Sequence, residues 1–161
     1  MERIWAPWRS VYIGKEHGSA CIFCDKLNSD KDQENYVIYR VHRVFVLMNL
    51  YPYNNGHLMV APKRHVGDIA DLEQEEMTEL FLVKQKMVGV LRAAFNPEGF
   101  NIGINLGKIA GAGVPGHLHI HIVPRWGGDT NFMPVIGDVR VISEGMDLTY
   151  RKIMEAMGRN I

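Results

Sequence analysis

The stretch Gly116-His117-Leu118-His119-Ile120-His121-Ile122-Val123-Pro124-Arg125 alternates histidine with aliphatic residues. Period-two alternation marks a strand with one buried face. It puts His117, His119 and His121 on one face and Leu118, Ile120 and Ile122 on the other, toward a core. On a helix the same spacing would scatter the rings by about 200° per step. This strand constrains the chain most, because a sheet must exist with a face that accepts three imidazoles in a row.

The plainest reading is a surface strand that carries histidines by chance. A three-histidine metal site fails on distance. The outer positions lie about 13 Å apart at ~3.3 Å per residue, whereas zinc–nitrogen bonds are about 2.0–2.1 Å. A neighbouring pair could still share a metal. A third reading divides the labour, with one ring structural and the others facing a substrate, since neutral imidazole is a nucleophile and an acid–base group near neutral pH. The third is preferred.

The 161 residues suit one domain spanning 1–161, large enough for a proper core. Eighteen Lys plus Arg balance 18 Asp plus Glu, so neither a nucleic-acid partner nor a basic membrane face is expected. No apolar run approaches the ~20 residues of a membrane span. Met1 to Arg9 lacks the apolar core of a signal peptide, so a cytoplasmic protein is expected. Its two cysteines, three positions apart, would then not form a structural disulfide.

Residues 1–20 carry Trp5 and Trp8 on either side of Pro7, an aromatic segment expected to pack on its own domain or on a partner subunit. Cys21-Ile22-Phe23-Cys24 reads either as half a zinc site or as a redox pair. Zinc is favoured if two further ligands exist downstream, because no strand–helix context for a redox pair surrounds it. Asn28 to Asn35 reads as an exposed loop. Tyr36 to Tyr39 and Val44 to Met48 read as strands joined by a turn at His42-Arg43, and His57 to Val60 as another after the loop Asn49 to Gly56. Lys63-Arg64-His65 leaves that strand. Asp71-Leu72-Glu73-Gln74 predicts a capping box opening a long helix, with Met77, Leu80, Phe81, Lys84, Met87, Val88, Leu91 and Phe95 on the stripe that faces the sheet.

Phe100 to Asn105 alternates as a strand and runs into a glycine-rich loop, Gly107 to Gly116. Its G-x-x-x-G-x-G pattern is not a nucleotide fingerprint, because a strand and not a helix follows. The backbone amides at Gly111, Gly113 and Val114 are instead candidates to cradle an anion beside the histidine strand. A loop from Arg125 to Phe132, a short strand near Val139 to Ile142 and a helix from about Met146 to Met157 are expected to complete the chain.

His117-Leu118-His119-Ile120-His121-Ile122-Val123 resembles the signature of the histidine-triad superfamily of nucleotidyl hydrolases and transferases. Asn49 to Pro52, Gly56-His57 and Pro62 to His65 are similar to that family's nucleoside-binding strand–turn–strand. Arg3 to Arg9, Pro124-Arg125-Trp126 and Asp129 to Phe132 resemble a narrower branch that contains bacterial diadenosine polyphosphate phosphorylases. The resemblance implies an α+β fold, with an antiparallel sheet of about five strands, one long helix and a C-terminal helix, paired into a homodimer. It further implies one structural zinc per chain on Cys21, Cys24, His65 and His117, a closed four-ligand site. By the same resemblance His119 is the nucleophile that forms a nucleotidyl-histidine. His121 and Asn105 would donate to phosphate, Asn49 would contact the ribose, and Met48 and Leu50 would border the base.

One departure stands out. Related branches carry a Gln or Ser just before the triad, whereas Gly113-Val114-Pro115-Gly116 offers no side-chain donor. The expected activity is phosphorolysis of diadenosine tetraphosphate to ADP and ATP. The rivals are a hydrolase of dinucleoside polyphosphates or phosphoramidates that releases AMP, a nucleotide-binding regulatory protein without turnover, and a thiol–disulfide role for Cys21 and Cys24.

Overall fold

The computed structural model describes residues 21–139 and 141–158. The aromatic segment 1–20 lies outside the described residues. Five strands form one antiparallel sheet: β1 (Val37–Arg40), β2 (Val44–Met48), β3 (Leu58–Pro62), β4 (Gly99–Ile104) and β5 (Ile120–Arg125), in the order β1-β2-β3-β5-β4. The helices are α1 (Ile22–Leu27), α2 (Gln74–Phe95), α3 (Met133–Ile136) and α4 (Met146–Ala156). The α+β architecture is the expected one. No helix among the described residues is long and apolar enough to cross a membrane.

Strand parity divides the sheet into two faces. Val44, Val46, Met48, Leu58, Val60, Ile120 and Ile122 face α2 and α4, where Leu80, Val83, Met87, Leu91 and Ile153 complete the main core. On the opposite face Val37, Phe45, Leu47, Met59 and Ala61 form a smaller cluster with Phe23 of α1. Histidines occupy the rest of that face.

The ladder between β3 and β5 pairs Leu58 with Ile122, Met59 with His121 and Val60 with Ile120. It stops before Leu118, so the regular strand is shorter than the alternating run. Continued in register, the next pairing of this parity would set Leu118 against Pro62, which has no N–H to give. The Leu118 N–H turns instead to the carbonyl of Val66 at 2.7 Å.

The long helix forms, but with another cap and another phase. Glu73 is its N-cap, and Glu73 and Glu76 make the capping box; Asp71 ends a 3-10 turn over Ile69–Asp71. Glu76 is 3% exposed. Its carboxylate accepts the Glu73 N–H at 2.9 Å and a fork from Arg64 at 3.0 and 2.6 Å. A buried, paired glutamate thus heads the stripe Glu76-Leu80-Val83-Met87-Leu91. Met77 and Phe81, assigned to that stripe from the apolar pattern, are 44% and 68% exposed. A purely hydrophobic periodicity cannot register a core position filled by an ion pair.

Two short elements also depart from expectation. Val139 and Val141 join no ladder, so the strand near Val139 to Ile142 is not formed by its described residues. A β-branched composition without a neighbouring strand gives no sheet. The one-and-a-half-turn α1 was not legible as a helix. It ends under Arg40 of β1, whose guanidinium donates to the carbonyls of Lys26, Leu27 and Ser29 at 2.7–3.1 Å and pairs with Asp32 at 2.6 Å.

Candidate active site and metal centre

The three triad rings lie on the face predicted by parity, and their hydrogen bonds fix where each proton sits. His119 Nδ1 donates to the His117 carbonyl at 2.9 Å, which leaves the lone pair on Nε2. His121 Nδ1 lies 2.9 Å from His57 Nε2. His57 Nδ1 accepts the Tyr53 N–H at 3.0 Å, so its own proton is on Nε2 and is given to His121. His121 therefore carries its proton on Nε2. One ring presents a nucleophilic nitrogen and its neighbour presents a donor, with centroids 4.7 Å apart.

His117 does something different. Its Nε2–H donates to the Pro62 carbonyl at 2.8 Å, and its Nδ1 lone pair faces Cys21 Sγ at 3.3 Å and Cys24 Sγ at 3.6 Å. Cys24 Sγ lies 3.4 Å from His65 Nδ1. All four donor atoms fall within 4.8 Å of one another. A tetrahedral ion with bonds of about 2.0–2.3 Å separates its ligands by about 3.3–3.8 Å; the three separations of 3.3–3.6 Å already match, and this S2N2 set suits a metal of the zinc type once the widest one closes. A backbone carbonyl orienting the ligating imidazole from behind is the usual support for such a site. Burial, and next the adjacent Cys21, push the Cys24 thiol above its ordinary range.

A family model described as the HIT domain matches residues 30–128. The chain is 38% identical over 167 residues to an AP-4-A phosphorylase from Mycobacterium tuberculosis, covering 99% of this chain and 86% of that protein. The chain belongs to the HIT-domain family. An asymmetrical bis(5'-nucleosyl)-tetraphosphatase from Schizosaccharomyces pombe is 40% identical over 89 residues, 55% of this chain and 48% of that one. A zinc-bound histidine triad family protein from Mycobacterium smegmatis superposes with a TM-score of 0.70 at 28% identity, over 86% of this chain and 94% of that chain.

Other candidate residues of this HIT domain are distributed unevenly around the triad. Asn105 follows β4 and approaches the glycine loop, its Nδ2 lying 3.9 Å from where a Cβ on Gly111 would stand. Gly111 has φ 92°, which glycine adopts without strain. Val114 packs against the small cluster that contains Phe23. Asn49 is buried, its Oδ1 accepting the Tyr51 N–H at 3.0 Å and its Nδ2 lying 3.4 Å from His57. Leu50 is exposed beside it. Met48 does not reach the triad face: β2 parity turns it into the helix-facing core at 2% exposure, and Leu47 takes the triad side. Sequence reasoning gave no individual role to His57, named only within the family's strand–turn–strand, or to Phe23, named only between the two cysteines. The signals for His57 were its place in that motif and at the opening of the strand that pairs with the triad.

Burial pushes the pKa of His117, His119 and His121 down, to about 4 for His121, where His119 adds a like-charge penalty. All three are then neutral at physiological pH. For His121 the folded value lies below the ordinary 6.5. Between those values the unfolded chain binds the extra proton, so its stability contribution is full above about pH 6.5 and fades as pH falls toward 4. Urea unfolding across that window should show stability dropping with acid, and His121→Asn should flatten the slope by up to about 1.4 kcal/mol per pH unit. An unchanged slope in the variant would contradict a buried neutral His121.

Proposed function

We propose that this HIT domain cleaves diadenosine polyphosphates through a nucleotidyl-His119 intermediate. The observation that carries the reading is the proton arrangement around His119: Nδ1 tied to a carbonyl, Nε2 bearing the lone pair, His121 alongside. Nε2 attacks the α-phosphorus in line, forming the N–P bond as the P–O bond to the departing nucleotide breaks. The His121 Nε2–H, the Asn105 amide and the loop amides at Gly111, Gly113 and Val114 hold phosphoryl oxygens, while Asn49 and Leu50 border the nucleoside. A second in-line displacement, by inorganic phosphate, frees His119 and gives ADP; ATP left in the first step. A polyphosphate departs as an anion and needs no proton, which suits a loop without a side-chain acid. An amine leaving group would need one.

Incubation of diadenosine tetraphosphate with phosphate should give ADP and ATP, with neither formed when phosphate is omitted. AMP and ATP in both conditions would make the chain a hydrolase. His119→Ala should lower kcat by several orders of magnitude, as expected for a covalent nucleophile. Residual turnover above a few per cent would sink the assignment.

Cys21, Cys24, His65 and His117 are proposed to hold one structural zinc, clamping α1 to β5. Two thiols kept as ligands suit a reducing compartment such as the cytoplasm. Metal analysis of protein purified without chelator should find about one zinc per chain. Cys21→Ala combined with Cys24→Ala should abolish it, and full retention in that double variant would refute the ligand set.

A homodimer is proposed across β4, an edge of the sheet on which Ile102 is 44% exposed. An open apolar edge is a template for pairing with a second copy. Sedimentation equilibrium should return the mass of two chains, and Ile102→Asp should return one; a monomeric unmodified protein would end the idea.

A further inference from the structure

Phe23 sits between the two cysteines of the donor cluster but supplies no donor itself. It is 1% exposed. Its ring stacks on His117 with centroids 4.9 Å apart and planes at 29°, and meets His119 at 4.8 Å and 32°. Behind it, Phe45 makes an edge contact at 6.3 Å. One aromatic ring thus touches both the ring that faces the thiols and the ring that carries the free Nε2 lone pair.

His119 is confined from the remaining directions as well. Its Nδ1 is bound to the His117 carbonyl, and the ring of His121 stands nearly perpendicular to it at 75°. Of these restraints, only Phe23 comes from outside β5 and its approach. The position of Phe23 follows that of α1. Six residues are too few to hold a helix in isolation. What holds α1 is the donor cluster at its start, the Phe23 contacts in its first turn and the Arg40 guanidinium at its end.

We propose that Phe23 is a positioning residue for His119, and that the donor cluster reaches the nucleophile through it. The ring holds the imidazole plane so that Nε2 stays on the line of attack. Fixing α1 through Cys21 and Cys24 fixes that ring. The proposal rests on the reading of His119 as the nucleophile.

The test compares Phe23→Leu, which keeps apolar volume but no ring, with Phe23→Ala and with Phe23→Tyr, which keeps the ring. For each, zinc per chain, KM, kcat and the rapid-quench rate of adenylyl transfer to the protein are measured with diadenosine tetraphosphate. Phe23→Leu and Phe23→Ala should keep their zinc and their KM. Their adenylylation rate should fall about ten- to a hundredfold, the scale of a misplacement near 1 Å. Phe23→Tyr should restore most of it. Should Phe23→Ala not fold, Phe23→Leu decides. A raised KM with unchanged kcat would overturn the proposal, because the ring would then be gripping nucleoside. Recovery of the lost rate on adding zinc would overturn it too, since Phe23 would then serve only the metal. Adenylylation at the normal rate in both variants would remove the positioning role alone. Failure to adenylylate the unmodified chain would remove the nucleophile reading, and this proposal with it.

Discussion

The pairing of β5 against β3 decides the chemistry of the site. The two ends of β3 fix protons on two rings of the histidine run. At its end, Pro62 cannot continue the ladder as a donor, and its carbonyl takes the Nε2–H of His117, turning that ring's lone pair toward the thiols. Just before its start, His57 gives its Nε2 proton to His121 and so leaves His121 as a donor in turn. Between them, His119 is tied to a carbonyl of its own approach. Three identical residues in one alternating run thereby acquire three roles, and the differences lie in their backbone and side-chain neighbours.

Burial supplies the second half of the arrangement. Imidazoles in water at neutral pH are partly protonated, and a protonated ring has no lone pair for phosphorus or for a metal. Here desolvation holds the triad rings neutral, while His117 Nε2, His119 Nδ1 and His121 Nδ1 each find a partner. Neutrality and orientation therefore come from one packing arrangement. Loosening α1 against β5 would disturb both together.

How much of this the sequence disclosed follows from what kind of signal each part leaves. Period two in residues 116–125 was enough to place the histidines on one face, and the family resemblance to name the four donors that the fold brings within 4.8 Å. The phase of α2 was misread because Glu76, a core position, is charged and its partner Arg64 lies 12 residues away, outside any local pattern. Helix α1 was missed for a similar reason, since its end is satisfied by Arg40 from the sheet. Met48, expected from the resemblance to border the base, is turned by strand parity into the helix-facing core, and Leu47 takes the triad side. His57 stood out only as part of a motif and Phe23 only as a residue between two cysteines, because the role of one buried histidine or phenylalanine is unreadable until its neighbours are known.

The donor cluster also has a place in time. Cys24 and His117 are 93 residues apart in the chain. A ribosome adding about 5–20 residues per second leaves the two thiols without their last partner for roughly ten seconds. Through that interval α1 can be docked by Arg40, by His65 beside Cys24 and by its apolar side, all available once β1 to β3 have been made. The cluster closes only when His117 has been made and β5 enters between β3 and β4. Because the same insertion completes the sheet and seats His119 against Phe23, a chain halted before it would hold the two thiols without His117 and α1 without its ring contacts to the triad.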